Sequence, residues 1–507
     1  MIAVAVFVAL LTGIWLLTMR VQPESKLEVY KKSLRERGEK LEINEVLPPA
    51  VPAASNCVDA VEEAFRMLGS RTVNTPYVMR MVAPGRAMLA WTQPDVRGSE
   101  FTNSWEDFTA DIAADQPARE LLADVLERPE LDFHLDYQKG FLLLLPHLAP
   151  FKRSAQSLSA AAICDLHQGN PGLATTNLMI LLGLVQADQN EHVLISQLVR
   201  IAMAAIAVSP TWELLQSTNV TDAQLAALQT SWETLEFVSC MEGPILMERA
   251  MASAMIKKLR SSHTEFNGLM SMGTLGSSGG TSSAWPPDFD EWVKAAKSTT
   301  GEIMWRASWS YSEELHMLQA DQIMLETLRT MQTNRFYQPD YDAMRTRLSA
   351  LGVTNAGAAI FRALDIPDFS ETDFSETFDH AFLSATVSKA IRAEAARRIV
   401  VTAIALKRFQ LRHGEFPASL SELTPDLLPS VPVDPVDGKP LRYRLNADGT
   451  YTLYSVGEDG VDDGGDPTSL ASGSPGLYWQ GNKVRDWVWP QPATAEEIEF
   501  FHEHPPK

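Results

Sequence analysis

The run IAVAVFVALLTGIWLLTM, Ile2 to Met19, carries no charged side chain. No other stretch limits the folding of the chain so strongly. Inside a bilayer every backbone N–H and C=O of a lone segment must be satisfied within that segment, so the run must be a helix. As a helix it spans about 27 Å, just enough for a hydrocarbon core. A signal peptide is the other reading of such a run. No small-x-small cleavage site follows, and the chain continues directly into RVQPESK. The expectation is an uncleaved anchor over residues 1–19, with the membrane as a partner. Arg20, Lys26, Lys31, Lys32, Arg35, Arg37 and Lys40 all follow the run, and only the amino terminus precedes it as a positive charge. Read literally, the positive-inside rule keeps the body in the cytoplasm.

At 507 residues the chain is too long for one ordinary core, and two or three domains are expected. Apolar residues make up 45% and charged residues 21%, the proportions of a globular protein. The formal net charge is −21, which argues against the basic face of a nucleic-acid binder. Cys57, Cys164 and Cys240 lie far apart with no C-x-x-C, so neither structural zinc nor a disulfide framework is expected. Cys164 and Cys240 sit in helix-like settings and read as buried small hydrophobes.

PESKLEVYKKSLRERGEKL reads as a charged helix stopped at Gly38, and LPPAVPAASN as an extended spacer. CVDAVEEAFRML is an amphipathic helix with Ser55 or Asn56 as its N-cap. From about Pro117 to Leu259 helical periodicity dominates. Two apolar runs flank QGNPG, like one tetratricopeptide-type helix pair, without the further units a solenoid needs. Thr221 with Gln224 makes a capping box. NGLMSMGTLGSSGGTSSAWPPDFDEW breaks the periodicity as a Gly- and Ser-rich loop. Helices resume, and a long one ends at Gly414. After it the texture changes: LRYRL, NADG and TYTLYSV form a hairpin signal. YSVGEDGVDDGGD then sets Asp459, Asp462, Asp463 and Asp466 among four glycines. Such a turn is either solvated acidic coil or a cation site.

The order of long helix, HGEFPASLSEL, PVDPVDGKPLRYR, YTLYSVGEDG and acidic loop resembles the C-terminal head of the major pseudopilin of type II secretion systems. The match covers Ala385 to Asp466, and the combination of ordered elements is more specific than any one alone. Phe416 and Pro417 take the place of the family's Y/F-P, with Leu420 and Leu423 packing the helix on the sheet. Asp434 and Pro435 match its D-P, although VDG is one residue longer than the usual pattern. Pro440 and Tyr443 fit the start of the strand, and Ser455, Gly457, Asp459 and Gly460 fit S-x-G-x-D-G. The resemblance implies a calcium loop. Asp459 and Asp466 stand at the ligand places, Val456 at that of a carbonyl donor, and Asp462 and Asp463 lie beside them. Calcium takes six to eight hard oxygens in a flexible cage, which carboxylates and glycine-rich backbone supply. The spacing is not that of an EF-hand. The chain also departs from the family. There is no basic leader ending in Gly followed by F-T-L-x-E, and hundreds of residues separate the apolar run from the head.

Other candidate chemistry is thinner. Ser278 in GSSGG matches G-x-S-x-G but lies in low-complexity sequence, not between strand and helix. Glu313 and His316 form a single E-x-x-H, where a di-iron bundle needs two and further glutamates. His502 and His504 lie in a terminal tail.

The expected fold class is α+β: an anchor helix, a large mostly α-helical body, and a small head of helix plus antiparallel sheet. Its expected parts are an anchor (1–19), a charged helix and Pro-rich spacer (20–56), a helical domain (57–266), a loop (267–292), a helical continuation (293–384), the head (385–466) and a coil tail (467–507). The function expected from the resemblance is that of a non-catalytic bacterial inner-membrane protein with an extracytoplasmic body, a calcium-stabilised head and a protein partner. An enzyme with its site in the helical body is the alternative.

Overall fold

A computed structural model describes residues 21–70, 79–97, 102–266, 302, 304–334, 336–351 and 380–504. The apolar run Ile2–Met19 and the GSSGG segment lie outside them.

The described chain is mostly helical with small antiparallel sheets, as an α+β reading requires. Residues 21–36 form the charged helix, which turns at Gly38 with φ +81°. Its apolar side, Leu27 and Leu34, packs on Ile256, Leu259 and Tyr311. Leu148–His167 and Pro171–Ala187 form the expected antiparallel pair around the Gly169 turn. Its close contact comes from Ala155, Ala162 and Ala174, all fully buried. Leu194–Gln216 packs across this pair and is the central helix of the body. Among the described residues it is the one helix long and apolar enough to cross a membrane, yet 61% of its most apolar window is buried inside the molecule. It also carries Gln197, Arg200 and Glu213, none of them accessible to solvent. Asp222–Glu233 begins with the Thr221–Gln224 capping box read from the sequence. Glu242–Ser261 and Ser310–Asn334 complete the body beside the charged helix.

One N-cap differs from the expectation. Cys57 occupies the cap of Val58–Leu68 without a side-chain bond. Asn56 instead accepts from the Val58 and Asp132 N–H groups, which joins the helix start to the segment near Glu130. Cys57 and Cys164 are buried, while Cys240 is half-buried.

The long helix His380–His413 lies against both Leu194–Gln216 and Asp222–Glu233. Past Gly414 (φ +86°) the chain leaves the helical layer and forms a three-stranded antiparallel sheet. The hairpin pairs Arg442–Leu445 with Tyr451–Ser455 in the register Arg442↔Tyr454 to Leu445↔Tyr451. Trp487–Trp489 adds the third strand beside Tyr451–Ser455, so the head as folded takes in the segment after Asp466.

The segment after Asp466 is not the coil expected from its glycine and tryptophan content. Trp487 and Trp489 are buried strand residues, so the aromatic pair is core. Gln491–Pro492 pairs in parallel with Arg86–Ala87 from the N-terminal half. Ala495–Glu503 then forms a helix nucleated by a Thr494–Glu497 capping box. His502 lies on this helix and His504 at its end; both are exposed.

Head and body share one hydrophobic core. A single cluster of buried side chains runs from Ile43 and Val61 through Leu181, Trp212 and Ile404 to Leu453, Val456 and Trp489. Polar contacts reinforce this joint. The Trp212 indole donates to the Pro490 carbonyl at 2.7 Å, and Gln229 to the Leu427 carbonyl at 2.8 Å.

Candidate functional site

The acidic turn is built from the strands outward. Tyr451–Ser455 ends in a segment with no freedom to splay. Gly457 sits at φ +74°, and a side chain there would put its Cβ 2.1 Å from the Arg485 carbonyl oxygen. Only glycine tolerates both conditions. The turn therefore presses directly on the strand that follows it in the sheet.

Two buried aspartates hold this turn from beneath. Asp434, inaccessible to solvent, accepts from the Ser455 hydroxyl at 2.8 Å, from Val456 N–H at 3.0 Å and from Val436 N–H at 3.0 Å. Arg442 pairs with its second oxygen at 3.1 Å. The D-P and S-x-G segments, separated in sequence, thus meet through one carboxylate. Asp486 does the same for the acidic loop. It accepts from Gly465 N–H at 2.7 Å, Asp466 N–H at 3.0 Å and Asp463 N–H at 3.4 Å. The loop backbone is a nest whose N–H groups point inward at an anion, and the protein itself supplies that anion. Burial raises both carboxyls above the ordinary aspartate value, against the lowering pull of these donors.

The carboxylates read as ligands face outward and are already engaged. Asp459 accepts from Val461 N–H at 3.0 Å, an Asx turn. Asp462 accepts from the Tyr454 hydroxyl at 2.8 Å and from Gly464 N–H at 3.1 Å, with Arg442 at 3.4 Å. Partial burial pushes the Asp462 carboxyl up, but these partners outweigh it and hold it below the usual range. Asp463 and Asp466 both face Arg485, at 3.2 and 3.6 Å, and Asp466 also takes the Thr468 hydroxyl and N–H. Val456 is fully buried, with its N–H given to Asp434.

The hard oxygens calcium prefers are therefore present, with arginines beside them. Among the described residues no group of three or more His, Cys, Asp or Glu side chains converges on a metal-sized site. Arg485 is half-exposed, and exposed ion pairs stabilise by about 0–1 kcal/mol.

Phe416, Pro417, Leu420, Leu423 and Tyr443 lie close to the hairpin strands. The Phe416 ring packs edge-on against Tyr451 at 4.8 Å. Tyr443 donates its hydroxyl to the Pro417 carbonyl at 2.6 Å. Leu420 and Leu423 are buried under the sheet in a short turn closed by Ser419 and Glu422.

In the helical body, His147, Glu191 and Ser196 form a buried polar cluster. His147 Nε2 lies 3.1 Å from Glu191 Oε1, and the Ser196 hydroxyl donates to that same oxygen. Serine and histidine both address the carboxylate rather than each other, so the nucleophile–base contact of acyl-transfer sites is not formed. Neighbouring Asp188 is buried, and its carboxyl is pushed well above the usual range by desolvation and by Glu191. Arg200 donates to the Val185 carbonyl at 2.6 Å and stacks over Phe237. This arrangement ties helix ends together. Glu313 of the E-x-x-H accepts from the Trp305 indole at 2.7 Å, and burial lowers the pKa of His316.

Comparison with known proteins returns no matching family model, no matching curated protein and no matching solved structure.

Proposed function

We propose that this is a non-catalytic, membrane-anchored protein of the bacterial envelope, whose pseudopilin-like C-terminal head presents a surface for a protein partner on the extracytoplasmic side. The observation that carries this reading is the Asp434 carboxylate. It joins the D-P segment to the S-x-G turn, two of the ordered motif segments that make up the resemblance. The head also exposes large apolar side chains at its rim, Val461 at 54% and Leu470 at 61%. Isolated exposed hydrophobics are ordinary; two beside a rigid acidic loop are the places to probe first. Calcium at Asp459 and Asp466, with Asp462, Asp463 and the Val456 carbonyl nearby, belongs to the same proposal. Its role would be structural, adding binding free energy to folding.

The test is site-specific photocrosslinking in living cells, with the photoreactive residue at position 461 or 470 of the full chain. The reading predicts a discrete adduct heavier than the chain itself from these positions and none from Glu106 on the body surface. Absence of adducts at the head, or equal adducts at all three positions, would contradict an interaction role for the head.

A further inference from the structure

We propose that a cavity between body and head is a binding site for a single-chain amphiphile with an anionic head group, of the fatty-acid class. The cavity has a volume of about 270 Å³. Its walls are Leu198, Ile201 and Ala205 of the central helix and Trp479 of the head, with Lys389 and Arg392 of the long helix at one side. The lining is almost wholly aliphatic and aromatic. The Trp479 indole N–H is already given to the Ser209 hydroxyl at 3.3 Å, which leaves the ring as an apolar wall. Such a wall favours a hydrocarbon chain, since each buried methylene contributes about 0.8 kcal/mol.

The two cations distinguish this cavity from a packing defect. Lys389 and Arg392 are three residues apart on one helix, hence on one face. They stand together in a chain whose formal net charge is −21. Arg392 pairs with Glu458 through Nη2 at 2.9 Å and lies over the Trp487 ring, while Lys389 is exposed at the rim. A carboxylate at the cavity edge would face both side chains. An apolar pocket with a few convergent polar groups is the usual form of a small-molecule site.

The experiment photolabels the full chain in membranes of expressing cells with a fatty acid bearing a diazirine on its chain. Labelled peptides are mapped by mass spectrometry. The expected result is labelling of peptides that contain Leu198 to Val208 or Trp479. Excess dodecanoate should lower it at least fivefold, and dodecanol, which has the chain without the charge, should not. Ala205→Phe fills the cavity and should abolish the labelling. Lys389→Gln, at an exposed position that folding does not depend on, should reduce it severalfold. Labelling confined to other regions overturns the proposal. So does cavity labelling that ignores Lys389→Gln or that dodecanol displaces as well as dodecanoate.

Discussion

The aspartates of the head divide into two kinds, and burial is what separates them. Asp434 and Asp486 are inaccessible and take backbone and hydroxyl donors from beneath the turn, whereas Asp459, Asp462, Asp463 and Asp466 face outward. Removing the acceptor at Asp434 strands the Ser455 hydroxyl and two N–H groups, while Arg442 keeps Asp437 and Asp462. Asp434→Ala should therefore cost about 3–5 kcal/mol in chemical denaturation of the full chain. Without calcium, Asp459→Ala should stay within about 0.5 kcal/mol of the parent. A smaller loss at Asp434 than at Asp459 would contradict this division. Glu213 is fully buried in the central helix. Its Oε1 accepts from Ala90 N–H at 2.9 Å, and Oε2 has no hydrogen-bond partner. Burial pushes this carboxyl up to about 8 from 4.5. Between those values the native state holds a proton that the unfolded chain has released. The stability it contributes is complete below the lower value and is lost as pH rises towards the upper. Burial raises Glu248 and Asp321 to about 7 each, in the same direction. The melting temperature should thus fall from about pH 5 to about pH 8, and Glu213→Gln should lessen the accompanying loss of stability by about 4 kcal/mol. An unchanged slope in the variant would count against a protonated Glu213.

Among the elements, periodicity and turn chemistry made the local structure legible. The helix pair around Gly169, the Thr221 capping box, the stop at Gly414 and the NADG hairpin all follow from neighbours in sequence. What was not legible depends on distant partners. Asp486 lies in RDWVW, where nothing local marks it as the anion of a loop twenty residues earlier. The third strand, Trp487–Trp489, is short and rich in tryptophan, and only the Tyr451–Ser455 edge makes it a strand. The acidic loop itself could be found by composition, but composition does not say that Arg442 and Arg485 already stand beside it. If calcium binds, the full chain should melt higher with calcium than with chelator. A single site at 100 times its dissociation constant adds about 2.7 kcal/mol. Asp459→Ala and Asp466→Ala should remove the shift, and Asp462→Ala should weaken it less. No shift in the folded parent would leave the loop held by Asp486 and the arginines alone.

For the molecule as a whole, the joint between head and body is the main structural finding. Trp212, Trp489, Leu453 and Ile404 belong to one buried cluster, and the C-terminal segment returns to pair with Arg86–Ala87. A resemblance confined to Ala385–Asp466 suggests a separable module; the packing describes a head fused into its support. Burial of this kind keeps the acidic loop and its exposed rim in a fixed orientation relative to the long helix. It also places the apolar cavity at the joint, where head and body would both sense an occupant. The proposed function requires this rigid head to lie outside the cytoplasm, while the basic residues after the apolar run argue for the opposite side. One measurement decides between them. Ser472→Cys puts a thiol on an exposed turn of the head, and the native Cys57 and Cys164 are buried, with Cys240 half-buried. A membrane-impermeant maleimide should label this thiol in intact cells to the same extent as after permeabilisation. Labelling that appears only after permeabilisation would place the head in the cytoplasm and contradict the proposed envelope role.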